Sequence, residues 1–168
     1  MAKGKAGIVT KESRKRSILK KKPVKLPSVV NGVKISDIPE KKKERAKFLQ
    51  KELKRYQGKQ LYCPALRSHV EITAKSISET KHHASAHINS TIAALNLRII
   101  IKNAHFLKTT SVKGNSMQSK KMDLKDMITL ICPLKKYGFA KLTVGKTYNN
   151  ELVQYCITAI KLEWLKEE

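Results

Sequence analysis

Residues 76–104 read Ser-Ile-Ser-Glu-Thr-Lys-His-His-Ala-Ser-Ala-His-Ile-Asn-Ser-Thr-Ile-Ala-Ala-Leu-Asn-Leu-Arg-Ile-Ile-Ile-Lys-Asn-Ala. Ser76 and Glu79 have the spacing of a capping box, each side chain within reach of the other's backbone N–H. The spacing predicts a helix from about Ile77 to His87, with Ile77, Ala84 and Ile88 on its buried side. Asn89 or Ser90 can cap a second helix running through Ala94. Leu95, Leu97, Ile99, Ile100 and Ile101 are too apolar to face water, so this helical pair is expected to lie on a sheet.

After Ala104 the period changes from helical to alternating. His105–Thr110, Met127–Leu134, Phe139–Gly145 and Leu152–Lys161 read as strands, with a polar loop at Ser111–Met122. Residues 135–138 and 146–150 are short connections, which imply an antiparallel meander. Upstream, Val70 and Ile72 alternate with Glu71 and Thr73, so Leu61–Thr73 reads as a strand pair or a strand broken at Pro64. Glu40–Tyr56 carries Ala46, Leu49, Leu53 and Tyr56 on one helical stripe, stopped by Gly58. The expected class is α+β: N-terminal helices packed on an antiparallel sheet of about four strands, preceded by a basic disordered arm. Residues 1–39 form that arm, because Lys-rich sequence broken by Pro23, Pro27 and Pro39 buries too little apolar surface to offset chain entropy. Residues 40–168 are expected to form one α+β domain.

The chain carries 36 Lys and Arg against 13 Asp and Glu, a formal net charge of +23. Residues 1–60 hold 20 of those cations and 5 of those acids. Such an excess favours a polyanionic partner, nucleic acid first, since neutralising phosphates releases counterions whatever the base sequence. The candidate contacts are Arg14, Lys15, Arg16, Lys20, Lys21 and Lys22 in the arm, and Lys47, Lys51, Lys54 and Arg55 on the first helix. The same residues would also serve as a merely solubilising tail and a solvated helix face. Cys63, Cys132 and Cys156 are too far apart for a CxxC site, and their odd number fits a reduced, cytoplasmic location. No apolar stretch approaches the roughly 18 residues of a membrane span, and no secretory signal is apparent.

Walker, GxGxxG, GxSxG and HExxH patterns do not occur. His83 and His87 have helical spacing for a shared metal, but no cluster of further ligands accompanies them, so neither a metal nor a cofactor is expected. The remaining polar set suits phosphodiester cleavage in RNA. That reaction needs a base for the 2′-hydroxyl, an acid for the leaving oxygen and a cation for the phosphorane. His82 and His83 project off the apolar stripe and suit the first two roles, with Glu79 three and four residues before them. A carboxylate there would favour the imidazolium. Lys141 and Thr143 share one strand face, and Tyr155 and Thr158 lie on the next strand. Lys141 suits charge stabilisation, and Tyr155 stacking or proton donation. A strand lysine on a solvated face and a packed tyrosine are the plainer alternatives.

Tyr56-Gln57-Gly58-Lys59, Ser76–Ser85, Ala94-Leu95-Asn96-Leu97, Ile100–Ala104 and Ala140-Lys141-Leu142-Thr143-Val144 together resemble the large polyvalent protein-associated domain, related to the phage barnase–EndoU–colicin–RelE-like nucleases. The resemblance covers about residues 45–160. It implies helices on a four-stranded antiparallel sheet and a metal-independent, toxin-like ribonuclease activity from a phage or mobile element. Catalytic candidates are therefore His82, His83, Lys141, Thr143, Tyr155 and Thr158. Expected partners are nucleic acid, RNA ahead of DNA, and an immunity or carrier protein, with no membrane partner. Two rival readings are a non-catalytic nucleic-acid-binding accessory protein and a module that binds an acidic protein.

Overall fold

The computed structural model describes residues 9–112 and 123–167. Its centre is a six-stranded sheet in the order β3 (Gln60–Cys63), β4 (Ser68–Glu71), β8 (Leu152–Ile160), β7 (Gly138–Thr147), β6 (Leu124–Leu134) and β5 (His105–Ser111). The last four strands in the chain are β5 (His105–Ser111), β6 (Leu124–Leu134), β7 (Gly138–Thr147) and β8 (Leu152–Ile160). Each pairs antiparallel with the next, which is the meander that the short connections imply. Lys136 and Gly138 both take positive φ in the β6–β7 turn, and a Cβ on Gly138 would stand 2.8 Å from the Ile160 carbonyl oxygen. Glycine is required there by both conformation and space.

The sheet is larger than the four strands expected. Gln60–Cys63 (β3) and Ser68–Glu71 (β4) form an antiparallel hairpin around a 3₁₀ turn at Pro64–Leu66. This hairpin joins the meander through a parallel contact of β4 with β8, registered at Glu71–Val153. The sheet is therefore mixed rather than wholly antiparallel. A further two-stranded ribbon pairs β1 (Val29–Val30) with β2 (Val33–Lys34).

The main core lies between one face of the sheet and four helices. These are α2 (Lys42–Leu53), α3 (Ala74–Ala84), α4 (Ile88–Leu95) and α5 (Leu97–Asn103). Leu49, Leu53 and Tyr56 bury the stripe read from the sequence, and Ala46 is half-buried at its edge. Leu95, Leu97, Ile100 and Ile101 are buried with Leu130, Leu142 and Ile157 of the sheet. The capping box of α3 falls one turn earlier than expected. Thr73 Oγ1 accepts from the Ser76 N–H at 3.1 Å, and Ser76 Oγ accepts from the Thr73 N–H at 3.0 Å. Thr-x-x-Ser wins because Thr73 ends the extended segment, whereas Ser76 is already helical and fully buried.

Ile88 is exposed rather than on the buried stripe. The helix stops at Ala84, and His87, in extended conformation, starts α4 in place of Asn89 or Ser90. Thr91 ties this corner, its hydroxyl donating to the Ala84 and His87 carbonyls at 2.9 and 3.1 Å. Arg45, buried on α2, donates from Nε to the Ser85 carbonyl at 2.9 Å, and reaches the Ala86, Pro39 and Glu40 carbonyls as well.

Residues 10–39 are not the extended arm expected from their composition; residues 1–8 lie outside the described residues. Lys11–Leu19 form α1, whose N-terminus is closed by a reciprocal Thr10–Ser13 capping box. Its Ile18 joins Leu107 and Ile131 of the sheet, and Leu165 of α6 (Leu162–Glu167), in a second, smaller cluster. Ile131 alternates along β6 with Leu130 and Cys132 of the main core, so the two clusters occupy opposite faces of the sheet. Farther on, Val24 exchanges backbone hydrogen bonds with Pro133 and Lys135, and Leu26 and Ile38 are buried in the main core. Most of the expected polar loop at Ser111–Met122 lies outside the described residues.

Candidate functional site

The last turn of α3 presents His82 and His83 to solvent, as their positions off the apolar stripe predict. Their rings meet edge to face, with centroids 5.0 Å apart. His83 Nε2 lies 3.4 Å from Glu79 Oε2, one helical turn earlier. Glu79 itself is buried, at 6 % exposure, which is unusual for a carboxylate on a surface helix. Its environment explains the burial: the helix lies on β8, where the carboxylate meets Tyr155 and Cys156.

Tyr155 links the helix to the sheet. Burial, the nearby Glu79 charge and a hydrogen bond to that carboxylate push its phenol up to about 12. The hydroxyl stays protonated and donates toward Glu79, giving a run of groups from exposed imidazole through buried acid to half-buried phenol. Cys156, next in the chain, is pushed up to about 12 by burial and by Glu79, with Lys141 opposing. Its thiol is held against the Glu79 backbone carbonyl at 3.9 Å, so it is an inert packing group, not a nucleophile.

Lys141 and Thr143 share one face of β7, as the two-residue period requires. Their register partners are Thr158 and Cys156 on β8. Thr143 donates its hydroxyl to the Cys156 carbonyl at 3.2 Å, and Thr158 is half-buried beside Lys141. The Lys141 ammonium lies over the Trp164 ring of α6, 4.5 Å from its centroid. The strand candidates and the helix candidates thus converge on β8, through Glu79 on one side and Lys141 on the other.

The cationic candidates divide. Arg14 is turned onto the protein: its Nε donates to the Leu107 carbonyl at 2.6 Å, and its guanidinium stacks on Phe106. Leu107 is the extra residue of a β-bulge between Phe106 and Lys108, so its carbonyl has left the ladder and Arg14 supplies the donor. Lys15 is buried, its ammonium donating to the Lys166 carbonyl at 3.1 Å and to Glu12 at 3.3 Å. Arg16, Lys20, Lys21 and Lys22 are exposed, as are Lys47, Lys51 and Lys54. Arg55 is exposed too and pairs with Glu52 at 3.3 Å.

No protein-family model, curated protein or solved structure matches this chain. The site is therefore defined by its own geometry. Sequence reasoning placed Glu79 beside the histidines but gave no sign of its burial, which depends on Tyr155 reaching it from 76 positions away. Trp164 and Arg45 were missed altogether. The only tryptophan of a cationic chain was the available signal for the first. An arginine beside the apolar stripe of a Lys-rich helix was the signal for the second.

Proposed function

We propose that the protein is a metal-independent ribonuclease-like domain of a phage or mobile element, cleaving RNA by general acid–base catalysis. The observation that carries this reading is the exposed His83 imidazole backed by a buried carboxylate, Glu79, which is in turn held by Tyr155. A base of this kind is oriented by its carboxylate while its other nitrogen stays open to substrate. In the proposed reaction His83 takes the 2′-hydroxyl proton and the 2′-oxygen attacks phosphorus. The bond from phosphorus to the 5′-oxygen then breaks, and His82 returns a proton to that leaving oxygen. Lys141 offsets the charge that develops on the non-bridging oxygens. Thr143 and Thr158 line the strand face, and Tyr155 holds Glu79.

A second reading, a nucleic-acid-binding accessory protein without catalysis, draws support from the net charge of +23 and the exposed lysines of α2. Incubation with RNA in chelator separates the two. Cleavage that survives chelator and is lost in His83→Ala and in Glu79→Gln supports the enzyme. Salt-sensitive retention of RNA and DNA alike, with no cleavage, sinks it and leaves the binder.

A further inference from the structure

We propose that Trp164 is a positioning residue: its indole holds the Lys141 ammonium in place, which makes the C-terminal helix α6 a working part of the candidate site. A lysine on a strand face carries four flexible methylenes, and left to itself samples many rotamers. Here its ammonium lies 4.5 Å from the centre of an aromatic face. An indole attracts a cation through its quadrupole and, unlike a carboxylate, carries no charge of its own. It restricts where the ammonium sits.

The placement of the ring is itself built. Six residues are too few for an isolated helix to persist in water, so α6 depends on its docking. Leu165, adjacent to Trp164, is fully buried against Ile18, Leu107 and Ile131. Lys15 of α1 donates to the Lys166 carbonyl at 3.1 Å, tying the far end of α6 to a second helix. Ile131, Lys141 and Thr158 are register partners across β6, β7 and β8, so the same sheet face that anchors α6 also projects Lys141. Anchor and target are therefore fixed to one rigid element.

The positioning of Lys141 does not depend on the ribonuclease reading; its catalytic consequence does. Acetylation of the full chain by acetic anhydride over a range of pH, read at Lys141 by peptide mass mapping, gives the midpoint at which that amine becomes nucleophilic. The π face favours the charged form, so Trp164→Leu is expected to lower the midpoint and raise labelling at neutral pH about tenfold, with Trp164→Phe in between. Among the described residues, the titratable groups about this site include Cys156, Glu79, Lys161, Glu163 and Glu167, all retained in both variants. Leu165→Ala, which frees α6 and with it the Trp164 ring, is expected to move the midpoint in the same direction as Trp164→Leu. An unmoved midpoint in Trp164→Leu overturns the inference. Should that variant fail to fold by circular dichroism, Trp164→Phe against the parent chain decides on the same criterion. On RNA, Trp164→Leu is expected to lower kcat about tenfold with KM changed less than roughly twofold, and Trp164→Phe to recover part of the loss. If the parent chain cleaves no RNA while the midpoint still moves, the ribonuclease reading fails and the role of Trp164 stands.

Discussion

The two faces of the sheet are covered very differently. On one, four helices bury a continuous core that includes Leu130, Cys132, Leu142 and Ile157. On the other, two short helices meet the sheet through four fully buried side chains, Ile18, Leu107, Ile131 and Leu165. Neighbouring residues of one strand serve both sides, as Leu130 and Ile131 do. On the thick face, one buried side-chain oxygen among the described residues lacks a hydrogen-bond partner, that of Asn96. The thin face leaves Lys141, Thr143 and Thr158 half-buried, within reach of a ligand. The strand candidates thus lie on the thin face, whereas His82, His83 and Glu79 belong to α3, one of the helices that build the thick one.

This division can be broken by experiment, most forcefully at the thick face. Leu142→Ala removes a fully buried side chain from a central strand and is expected to cost about 3–4 kcal/mol in urea unfolding. Leu165→Ala, equally buried but in the small cluster, is expected to cost about 2 kcal/mol, because α6 can undock instead of leaving a void. Hydrogen exchange should then rise in α6 and α1 while β6–β8 stay protected; equal loss of protection throughout would contradict the division. Arg14→Met leaves the bulged Leu107 carbonyl without its donor and should cost about 1–2 kcal/mol.

The smallest effect is one of pH. His105, the register partner of Ile131, has its pKa lowered below 6.5 by burial and by the nearby Lys21 charge. The unfolded chain takes up this proton first, so the contribution of His105 is present above pH 6.5 and is lost as pH falls through the lower folded value. An NMR titration should place His105 below its ordinary value, and His105→Gln should flatten that part of the stability profile. A midpoint at or above 6.5 would show that Lys21 and the sheet do not crowd it.

Much of this was legible in the sequence. The change from helical to alternating period at Ala104 marks the junction of α5 and β5, and the strands of the meander fall where apolar alternation put them. The stripe of α2 was equally plain, because three of its four members are buried. The first helix was not, since Lys15 and Ile18 are its only buried residues and a Lys-rich stretch with one apolar anchor gives no stripe to read. Composition argued for disorder; a Thr10–Ser13 cap and a few contacts across the sheet decided otherwise. The parallel joining of β4 to β8 was hidden for another reason. A single registered pair, residues 71 and 153, leaves no local trace in either segment. The histidine pair was readable from helical spacing alone, whereas the burial of Glu79 required knowing which strand α3 covers.

The position of β8 in the sheet has a kinetic consequence. Among the described strands it comes last in the chain, yet it is the one that joins the β3–β4 hairpin to the meander. Until it is in place, the chain is two separate pieces of sheet with no edge in common. Closure must bring residue 71 to residue 153, a long loop whose entropy is spent before any contact repays it. We therefore expect the hairpin to be the late-forming region, with mutations there speeding unfolding and barely slowing refolding in stopped-flow traces.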